Sequence, residues 1–207
     1  MATKFDWAEY FYNFIGKNNL GYKHISGIKD LENDKLFEDT KKQIDEWAEY
    51  RTPIKKKNWD IIFLEQANFW AKQTNDGQTG CGAVLTTPDH RIISTGYNGF
   101  IYGIPNDALP NLRPAKYPFM VHAEHNAILD CAKQGRSSKG GIMYVTGEPC
   151  LQCYQYIYQA GVKEVVWGNQ DINMLTSDPE YNTKKTIFLT LVADKFKSRH
   201  VNYPVSA

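Results

Sequence analysis

The spacing of hydrophobic residues changes along the chain, and it predicts which segments are helices and which are strands. Apolar residues at helical spacing predict helices over residues 6–15, 30–50, 59–72, 122–133 and 150–159. Short runs rich in β-branched residues predict strands over residues 81–85, 91–95, 142–146 and 164–167. The segment 186–192 fits either a strand or a helix, and Tyr203-Pro204 predicts an extended tail.

The order of these elements predicts the fold class and a division into three regions. Thr87-Pro88-Asp89-His90, between the first two strands, is typical of a hairpin turn. The later strands alternate with helices, which favours βαβ crossovers and a layered α/β sheet over residues 58–170. Because Thr52-Pro53 ends the charged helix, we expect residues 1–57 to form a helical N-terminal extension. Residues 171–207 should form a C-terminal extension that packs on the α/β domain.

Charge and composition exclude several classes of protein. The 207 residues carry 24 Lys and Arg against 23 Asp and Glu, so the chain lacks the basic excess of a general nucleic-acid binder. The basic run at 55–57 is typical of a solvated linker, with a phosphate or nucleic-acid contact as the alternative. No stretch approaches the ~18 consecutive apolar residues of a membrane span. The charged first residues also differ from a signal peptide. We therefore expect a cytoplasmic protein with no membrane partner and no stable nucleic-acid partner.

Four residues at the starts of two predicted helices carry the candidate chemistry. His122 and Glu124 open one helix, and Cys150 and Cys153 open the next in a Cys-x-x-Cys motif. One imidazole and two thiolates are the ligand set of a catalytic zinc site, which keeps its fourth position open. The partial positive charge of a helix N-terminus stabilises thiolates there. Glu124 is poorly placed to be a fourth ligand, but it can reach a water in the open position.

Two other interpretations of the cysteines remain open. Cys150 and Cys153 could form a redox pair, or a fourth ligand could close a structural zinc site. The candidates for that ligand are Cys81 and Cys131, which both have the sequence context of small core residues. A reducing compartment makes metal binding or redox chemistry the common use of such a motif. We expect a catalytic zinc ion.

Further segments extend the pattern around the zinc motif. His-x-Glu followed by Pro-Cys-x-x-Cys is the signature of zinc deaminases. The chain resembles the deoxycytidylate (dCMP) deaminase family over residues 91–99, 116–118, 122–128, 140–146 and 159–166. The element Gly96-Tyr-Asn-Gly99 is the most discriminating part outside the zinc site. The resemblance covers roughly residues 60 to 168.

The resemblance implies a fold, a reaction and a set of partners. The family's fold is a cytidine deaminase-like, three-layer α/β/α arrangement with a mixed five-stranded sheet, here carrying a helical N-terminal extension. The reaction converts dCMP to dUMP and ammonia in pyrimidine deoxynucleotide metabolism, with Zn²⁺ as the cofactor. Members are usually homo-oligomers, and many are activated by dCTP and inhibited by dTTP at a second site.

The resemblance also implies roles for individual residues. His122, Cys150 and Cys153 would hold zinc, which lowers the pKa of a bound water and supplies hydroxide for attack on the ring. Glu124 would take the water proton, deliver it to the ring nitrogen and help ammonia to leave. Asn98 would face the deoxyribose and its 3′-hydroxyl. Further substrate contacts are expected at Thr79, Ala123 and Tyr117.

Three departures from the family pattern change these expectations. Residues 100–105 replace the usual continuation after Gly99, which argues against dCTP and dTTP regulation. Tyr154 stands where the family usually places alanine, which indicates either a reshaped pocket or a core position. No arginine lies in the 74–82 segment, where some relatives use one to hold phosphate. Gln78 and Thr79 remain there as uncharged donors, and the positive charge would come from Lys72 or Arg113.

The sequence also contains residues that are typical of other functions. A tRNA adenosine deaminase shares the zinc motif and typically has a residue like Glu148 before Pro149. Phe119-Met-Val121 replaces that branch's lead-in, however, and the balanced charge does not suit a tRNA partner. A deaminase of another cytosine nucleotide, a nucleoside, a free base or a modified dCMP would use the same zinc chemistry. A zinc-stabilised interaction module is the alternative without activity. The sequence favours dCMP deamination.

Overall fold

The computed structural model of the protein describes residues 35–46, 58–170 and 178–203. The chain divides into two compact units, residues Met1–Lys56 and residues Lys57–Ala207. Among the described residues, no helix is long and apolar enough to cross a membrane.

The described part of the first unit is helix α1, Lys35–Glu46. This helix lies inside the one predicted over residues 30–50, and Phe37 of its apolar stripe is buried. The helix predicted over residues 6–15 and the basic run at 55–57 lie outside the described residues.

The second unit alternates helices and strands in the predicted order. Its helices are α2 Trp59–Ala71, α3 Ala123–Lys133, α4 Leu151–Gln159 and α5 Pro179–Leu191. Its strands are β1 Gly82–Thr86, β2 Ile92–Tyr97, β3 Ile142–Gly147, β4 Glu164–Gln170 and β5 Lys197–His200. Helices α2 to α4 and strands β1 to β4 lie where the hydrophobic spacing predicts them, and their ends differ by at most three residues.

The five strands form one mixed sheet with the order β2-β1-β3-β4-β5. Strand β1 is antiparallel to both of its neighbours, with Val84 opposite Thr95 on β2 and opposite Tyr144 on β3. Strands β3, β4 and β5 run parallel to one another. The predicted hairpin joins β1 to β2 through a turn in which His90 has a φ of 67°, the left-handed conformation that tight turns require. The predicted mixed five-stranded sheet is confirmed.

Helices cover both faces of the sheet. Successive side chains of a strand point to opposite faces, so each strand contributes to two cores. On one face, helix α2 packs on strands β1, β3 and β4 through Phe63, Leu64, Ala67, Val84, Tyr144 and Val166. On the other face, helices α3 and α4 pack through a core that includes Ala83, Val145, Val165, Ala127, Tyr154 and Ile157. The predicted three layers follow directly from this alternation.

Two glycines allow the helices to lie unusually close to the hairpin. A Cβ atom at Gly82 would lie 1.8 Å from the carbonyl oxygen of Ala67 on α2. A Cβ atom at Gly96 would lie 2.2 Å from the carbonyl oxygen of Ala123 on α3. Both distances are far below van der Waals contact, so any side chain at these positions would push a helix off the sheet. The second contact sets how close the N-terminal turn of α3 lies to the sheet, and this turn carries His122 and Glu124.

Residues 178–203 contain a helix and a strand whose types or positions the sequence left open. Residues 186–191 of the ambiguous segment belong to helix α5, which starts at Pro179 with Asp178 as its N-cap and has Val192 as its C-cap. Strand β5 follows and pairs with β4, so this part of the chain supplies an edge of the sheet. The sequence Lys-Ser-Arg-His has no apolar alternation because three of its four residues are exposed, which is why the hydrophobic pattern missed it.

Candidate metal and active site

Three side chains from two helix N-termini converge on one point. His122 is the N-cap residue of α3, Cys150 is the N-cap residue of α4, and Cys153 lies in the first turn of α4. His122 Nδ1 lies 3.3 Å from the Cys153 sulfur and 3.7 Å from the Cys150 sulfur. The three potential ligand atoms all lie within 4.8 Å of one another, so the group could hold a metal ion.

The local backbone leaves these ligand atoms available. The His122 side chain makes no capping hydrogen bond, so its ring is not tied to the helix that it precedes. The Cys150 sulfur accepts a hydrogen bond from the Cys153 N–H at 3.4 Å. A hydrogen bond with the Cys153 thiol lowers the pKa of Cys150 to about 4, and the adjacent His122 acts in the same direction. A thiolate is the form in which cysteine binds metal, so the turn is chemically suited to a cation such as zinc.

The other two cysteines do not complete a four-ligand cluster. Cys131 is buried in the core, and its thiol donates a hydrogen bond to the carbonyl oxygen of Arg136 at 3.1 Å. Cys81 precedes β1, and burial raises the pKa of its thiol to about 12. In the described part of the chain, the cluster at His122, Cys150 and Cys153 thus offers three ligands. This is the number that an open, catalytic zinc site uses.

Glu124 lies beside this cluster, in the first turn of α3, and only 3% of the residue is exposed. Its carboxyl group interacts with the Cys153 sulfur. Burial raises the pKa of Glu124, and the charge of His122 opposes that change. A buried carboxyl next to a metal-binding cluster can exchange protons with a molecule held at the metal.

Asn98 lies just after β2, and its side-chain amide is engaged on both ends. The oxygen accepts a hydrogen bond from the Cys81 N–H at 2.7 Å. The nitrogen donates to the Thr79 carbonyl oxygen at 2.9 Å and to Asp76 Oδ2 at 3.2 Å. Asn98 therefore ties the loop before β1 to the end of β2.

Thr79 belongs to the same loop and meets a cation from a distant segment. Its hydroxyl accepts a hydrogen bond from Arg113 Nη2 at 2.6 Å, and the Arg113 backbone N–H donates to Gln78 Oε1 at 2.7 Å. Arg113 Nε is buried and has no hydrogen-bond partner among the residues that the structure describes. Of the two cations considered from the sequence, Arg113 reaches the loop, whereas Lys72 is exposed at the end of α2.

Sequence reasoning gave no role to the ion pair beneath this loop. The Lys116 ammonium contacts both carboxylate oxygens of Asp76, and only 3% and 5% of the two side chains are exposed. Asp76 Oδ1 also accepts hydrogen bonds from the Gln78 and Thr79 N–H groups. The pair joins residues 40 positions apart, so no local sequence pattern predicts it.

Cys81 connects the loop network to the metal-binding side of the molecule. The charges of Glu124 and Asp76 raise the pKa of its thiol beyond the effect of burial, and those of Lys116 and Arg113 lower it. The thiol therefore lies within electrostatic reach of both groups. Arg113, Lys116 and the carboxyl of Glu124 therefore all act on the Cys81 thiol.

The remaining predicted site residues occupy different settings. Ala123 is fully buried, and its side chain belongs to the core. Tyr117 is 49% exposed. Tyr154 is also fully buried, and its hydroxyl lies 2.7 Å from the Ser198 hydroxyl on β5. That position favours a core role for Tyr154 over a reshaped pocket.

Two residues of α5 approach the metal-binding turn, and sequence reasoning missed both. The Leu151 N–H donates a hydrogen bond to the Tyr181 hydroxyl at 2.6 Å. Lys185 Nζ lies 2.7 Å from Glu148 Oε2. No signal in the sequence connects α5 with the turn, because both contacts bridge more than 29 residues.

Comparison with known proteins gives consistent matches. Residues 57–169 match the family model of the cytidine and deoxycytidylate deaminase zinc-binding region. Human deoxycytidylate deaminase is 37% identical over 115 residues, which are 53% of this chain and 64% of that enzyme. Mouse deoxycytidylate deaminase is 33% identical over 145 residues, which are 67% of this chain and 78% of that enzyme. The chain thus spans slightly less than two thirds of the human relative's length.

A solved structure shares the fold. The crystal structure of dCMP deaminase from the cyanophage S-TIM5, in complex with dCMP and dUMP, matches with a TM-score of 0.58 at 24% identity. The match covers 72% of this chain and 100% of the cyanophage chain. The predicted fold is therefore confirmed.

Proposed function

Because the chain belongs to the cytidine and deoxycytidylate deaminase family, we propose that it catalyses the hydrolytic deamination of dCMP to dUMP and ammonia. The relatives from human and mouse are named deoxycytidylate deaminases, which favours this substrate over other cytosine compounds. The observation that carries the proposal is the convergence of His122, Cys150 and Cys153 within 4.8 Å, beside the buried carboxyl of Glu124.

In this proposal His122, Cys150 and Cys153 hold the zinc ion of the family. The donor set of one ring nitrogen and two sulfurs fits zinc, and the hydrogen bonds that favour a Cys150 thiolate prepare the turn for it. When bound, zinc lowers the pKa of a water molecule from 15.7 toward about 7, which makes the water a nucleophile at neutral pH.

Glu124 transfers protons during the reaction as a general base and then as a general acid. It accepts a proton from the attacking water and delivers it to the ring nitrogen of the pyrimidine. It then helps to protonate the amino group as the carbon–nitrogen bond breaks, so that ammonia leaves and the water oxygen becomes the uracil carbonyl. Burial of Glu124 supports this role, because it raises the pKa of the carboxyl group and so makes the carboxylate a stronger base than an exposed one.

Asn98 contacts the sugar in the proposed complex. Both N–H groups of its amide are used within the protein, and its oxygen accepts one hydrogen bond from Cys81. A carboxamide oxygen has two lone pairs. The second one can accept a hydrogen bond from the 3′-hydroxyl of a deoxyribose, and the internal bonds hold the amide in place for it.

Arg113 supplies the positive charge for the phosphate. Its guanidinium gives one hydrogen bond to the Thr79 hydroxyl, and within the described part of the chain its buried Nε–H has no partner. Lys116 lies in the same region, but Asp76 neutralises its charge. Guanidinium groups bind phosphate oxygens in pairs, so Arg113 and Thr79 together take the place of the arginine that the 74–82 segment lacks.

Ammonia release from a panel of substrates tests the proposal. The panel contains dCMP, deoxycytidine, dCTP, cytidine and an adenosine-containing RNA. We expect the highest kcat/KM with dCMP and no ammonia from the RNA. Equal values for dCMP and deoxycytidine would contradict the monophosphate specificity, and release from RNA would favour a tRNA adenosine deaminase.

Two proposals about partners follow from the family. We propose that the protein is a homo-oligomer, which its exposed apolar side chains support, among them Phe69 at 60%, Leu129 at 59% and Leu191 at 77% exposure. Light scattering of the full chain tests this, and a monomer at working concentration would contradict it.

We also propose that dCTP and dTTP leave the rate unchanged, because residues 100–105 depart from the regulated pattern. A change in rate on adding either nucleotide would show that regulation is retained.

A further inference from the structure

Helix α5 lies outside the segment 57–169 that the family model matches, yet it contacts the turn that carries Cys150. The first N–H groups of a helix have no partners within the helix. In α4, the Cys153 N–H is taken by the Cys150 sulfur, and the Leu151 N–H is taken by the Tyr181 hydroxyl at 2.6 Å. A side chain of α5 thus supplies one of the hydrogen bonds of this turn.

The Tyr181 hydroxyl also has a proton to donate, and it interacts with the side chain of Cys150. Its oxygen is occupied by the Leu151 N–H, so its own O–H is free to point elsewhere. The hydroxyl therefore holds the backbone of the residue directly after Cys150 and lies beside the Cys150 side chain.

A second contact from α5 holds the other side of the same turn. Lys185 lies one helical turn after Tyr181, so both side chains leave the same face of α5. Its ammonium group lies 2.7 Å from Glu148, and 10% and 28% of the two side chains are exposed. The contacts at Glu148 and Leu151 flank Cys150 from both directions along the chain.

We propose that Tyr181 is a positioning residue for the Cys150 ligand, with Lys185 anchoring the same turn from the side of Glu148. The proposal rests on the proposed function, because it takes Cys150 as a zinc ligand. Groups that hydrogen-bond metal ligands orient them and tune their basicity, and losing such a group typically costs 10- to 100-fold in metal affinity or activity.

The release of zinc to a chromogenic chelator tests this proposal without any substrate. Tyr181→Phe removes only the hydroxyl, and we expect the zinc-loaded variant to release its metal about tenfold faster than the wild type. Tyr158→Phe is the matched control. Tyr158 packs against Phe188 between α4 and α5, so this change removes a hydroxyl from the same interface but not from the turn. Lys185→Met should also release zinc faster.

Cobalt substitution gives a second measurement, which a general loss of stability would not reproduce. A thiolate that loses a hydrogen-bond donor becomes more electron-rich, so the sulfur-to-cobalt charge-transfer band of Tyr181→Phe should move to lower energy. The band of Tyr158→Phe should not move. Wild-type release rates or an unshifted band for Tyr181→Phe would overturn the proposal. A wild-type protein that binds no zinc would instead contradict the proposed function.

Discussion

Lys116 and Asp76 form a buried ion pair in which the ammonium group contacts both carboxylate oxygens. The pair lies under the loop that carries Thr79, and Asp76 accepts two further hydrogen bonds from the N–H groups of that loop. The shape of the proposed phosphate subsite therefore depends on a charge pair that is separate from the three metal-binding residues.

Breaking this pair should destabilise the protein. Asp76→Asn keeps the size of the side chain but leaves the Lys116 ammonium buried without a counter-charge, which typically costs about 3–5 kcal/mol. Urea unfolding measures the change in the free energy of unfolding. The control is Asp107→Asn at an exposed position, where we expect a change within about 0.5 kcal/mol. Equal effects at the two positions would contradict the assigned importance of the pair.

The protein should hold about one zinc ion per chain. Cys150→Ser should lose it, because serine replaces a thiolate that is stabilised at the helix N-terminus. Cys131→Ser should keep it, because the Cys131 thiol is bonded to the Arg136 carbonyl within the core. Elemental analysis of both purified variants distinguishes these outcomes. Full zinc content in Cys150→Ser would remove Cys150 from the ligand set.

Replacing Glu124 with Gln should abolish turnover and leave zinc in place. The amide is almost isosteric with the carboxyl but cannot cycle a proton, so we expect kcat to fall by at least ~10²-fold. Glu180→Gln, on the exposed first turn of α5, serves as the control. Zinc content and kcat are measured on the same samples. Turnover close to the wild-type rate would exclude Glu124 from the chemistry.

The role of Asn98 can be separated from its structural hydrogen bonds by changing the substrate. In the wild type, a dCMP analogue without the 3′-hydroxyl should have a lower kcat/KM than dCMP, by a ratio that corresponds to roughly 1–3 kcal/mol of activation free energy. In Asn98→Ala that difference should disappear, whatever the variant loses in stability. If the analogue and dCMP still differ equally in the variant, Asn98 does not contact the 3′-hydroxyl.

The preference for a phosphorylated substrate should depend on Arg113. Arg113→Met should raise the activation free energy given by kcat/KM by about 1.5–3 kcal/mol for dCMP and change it little for deoxycytidine. The reason is that only dCMP offers an anion to the guanidinium. Lys72→Met removes an exposed positive charge near the same loop and serves as the control. The ratio of kcat/KM between the two substrates is the decisive value. An unchanged ratio in Arg113→Met would place the phosphate elsewhere.

Local patterns account for most of what the sequence predicted. A Cys-x-x-Cys motif at a helix start and a His-x-Glu motif at another fix the spacing of the ligands within each turn. The alternation of strands with helices indicates that a sheet will bring the two turns together. These signals span a few residues each, so they can be read without knowledge of the tertiary structure.

The features that the sequence did not predict all depend on contacts between distant segments. Strand β5 is exposed on most of its residues and becomes a strand only through its pairing with β4. Tyr181 and Lys185 are ordinary helix residues until α5 meets the Cys150 turn. Tyr154 stood out as a departure from the family, but its hydroxyl has a partner, Ser198, on the strand that the pattern missed.

The edge position of β5 has a consequence for how the protein behaves when its chain is shortened. Lys197 and Arg199 give this border of the sheet two exposed charges, which discourage a strand of another molecule from pairing there. A chain cut before residue 197 would instead end its sheet at β4, which contains the apolar residues Val165 and Val166. The backbone groups of that strand would then be free to pair with a second copy, so shortened products should aggregate where the longer chain does not.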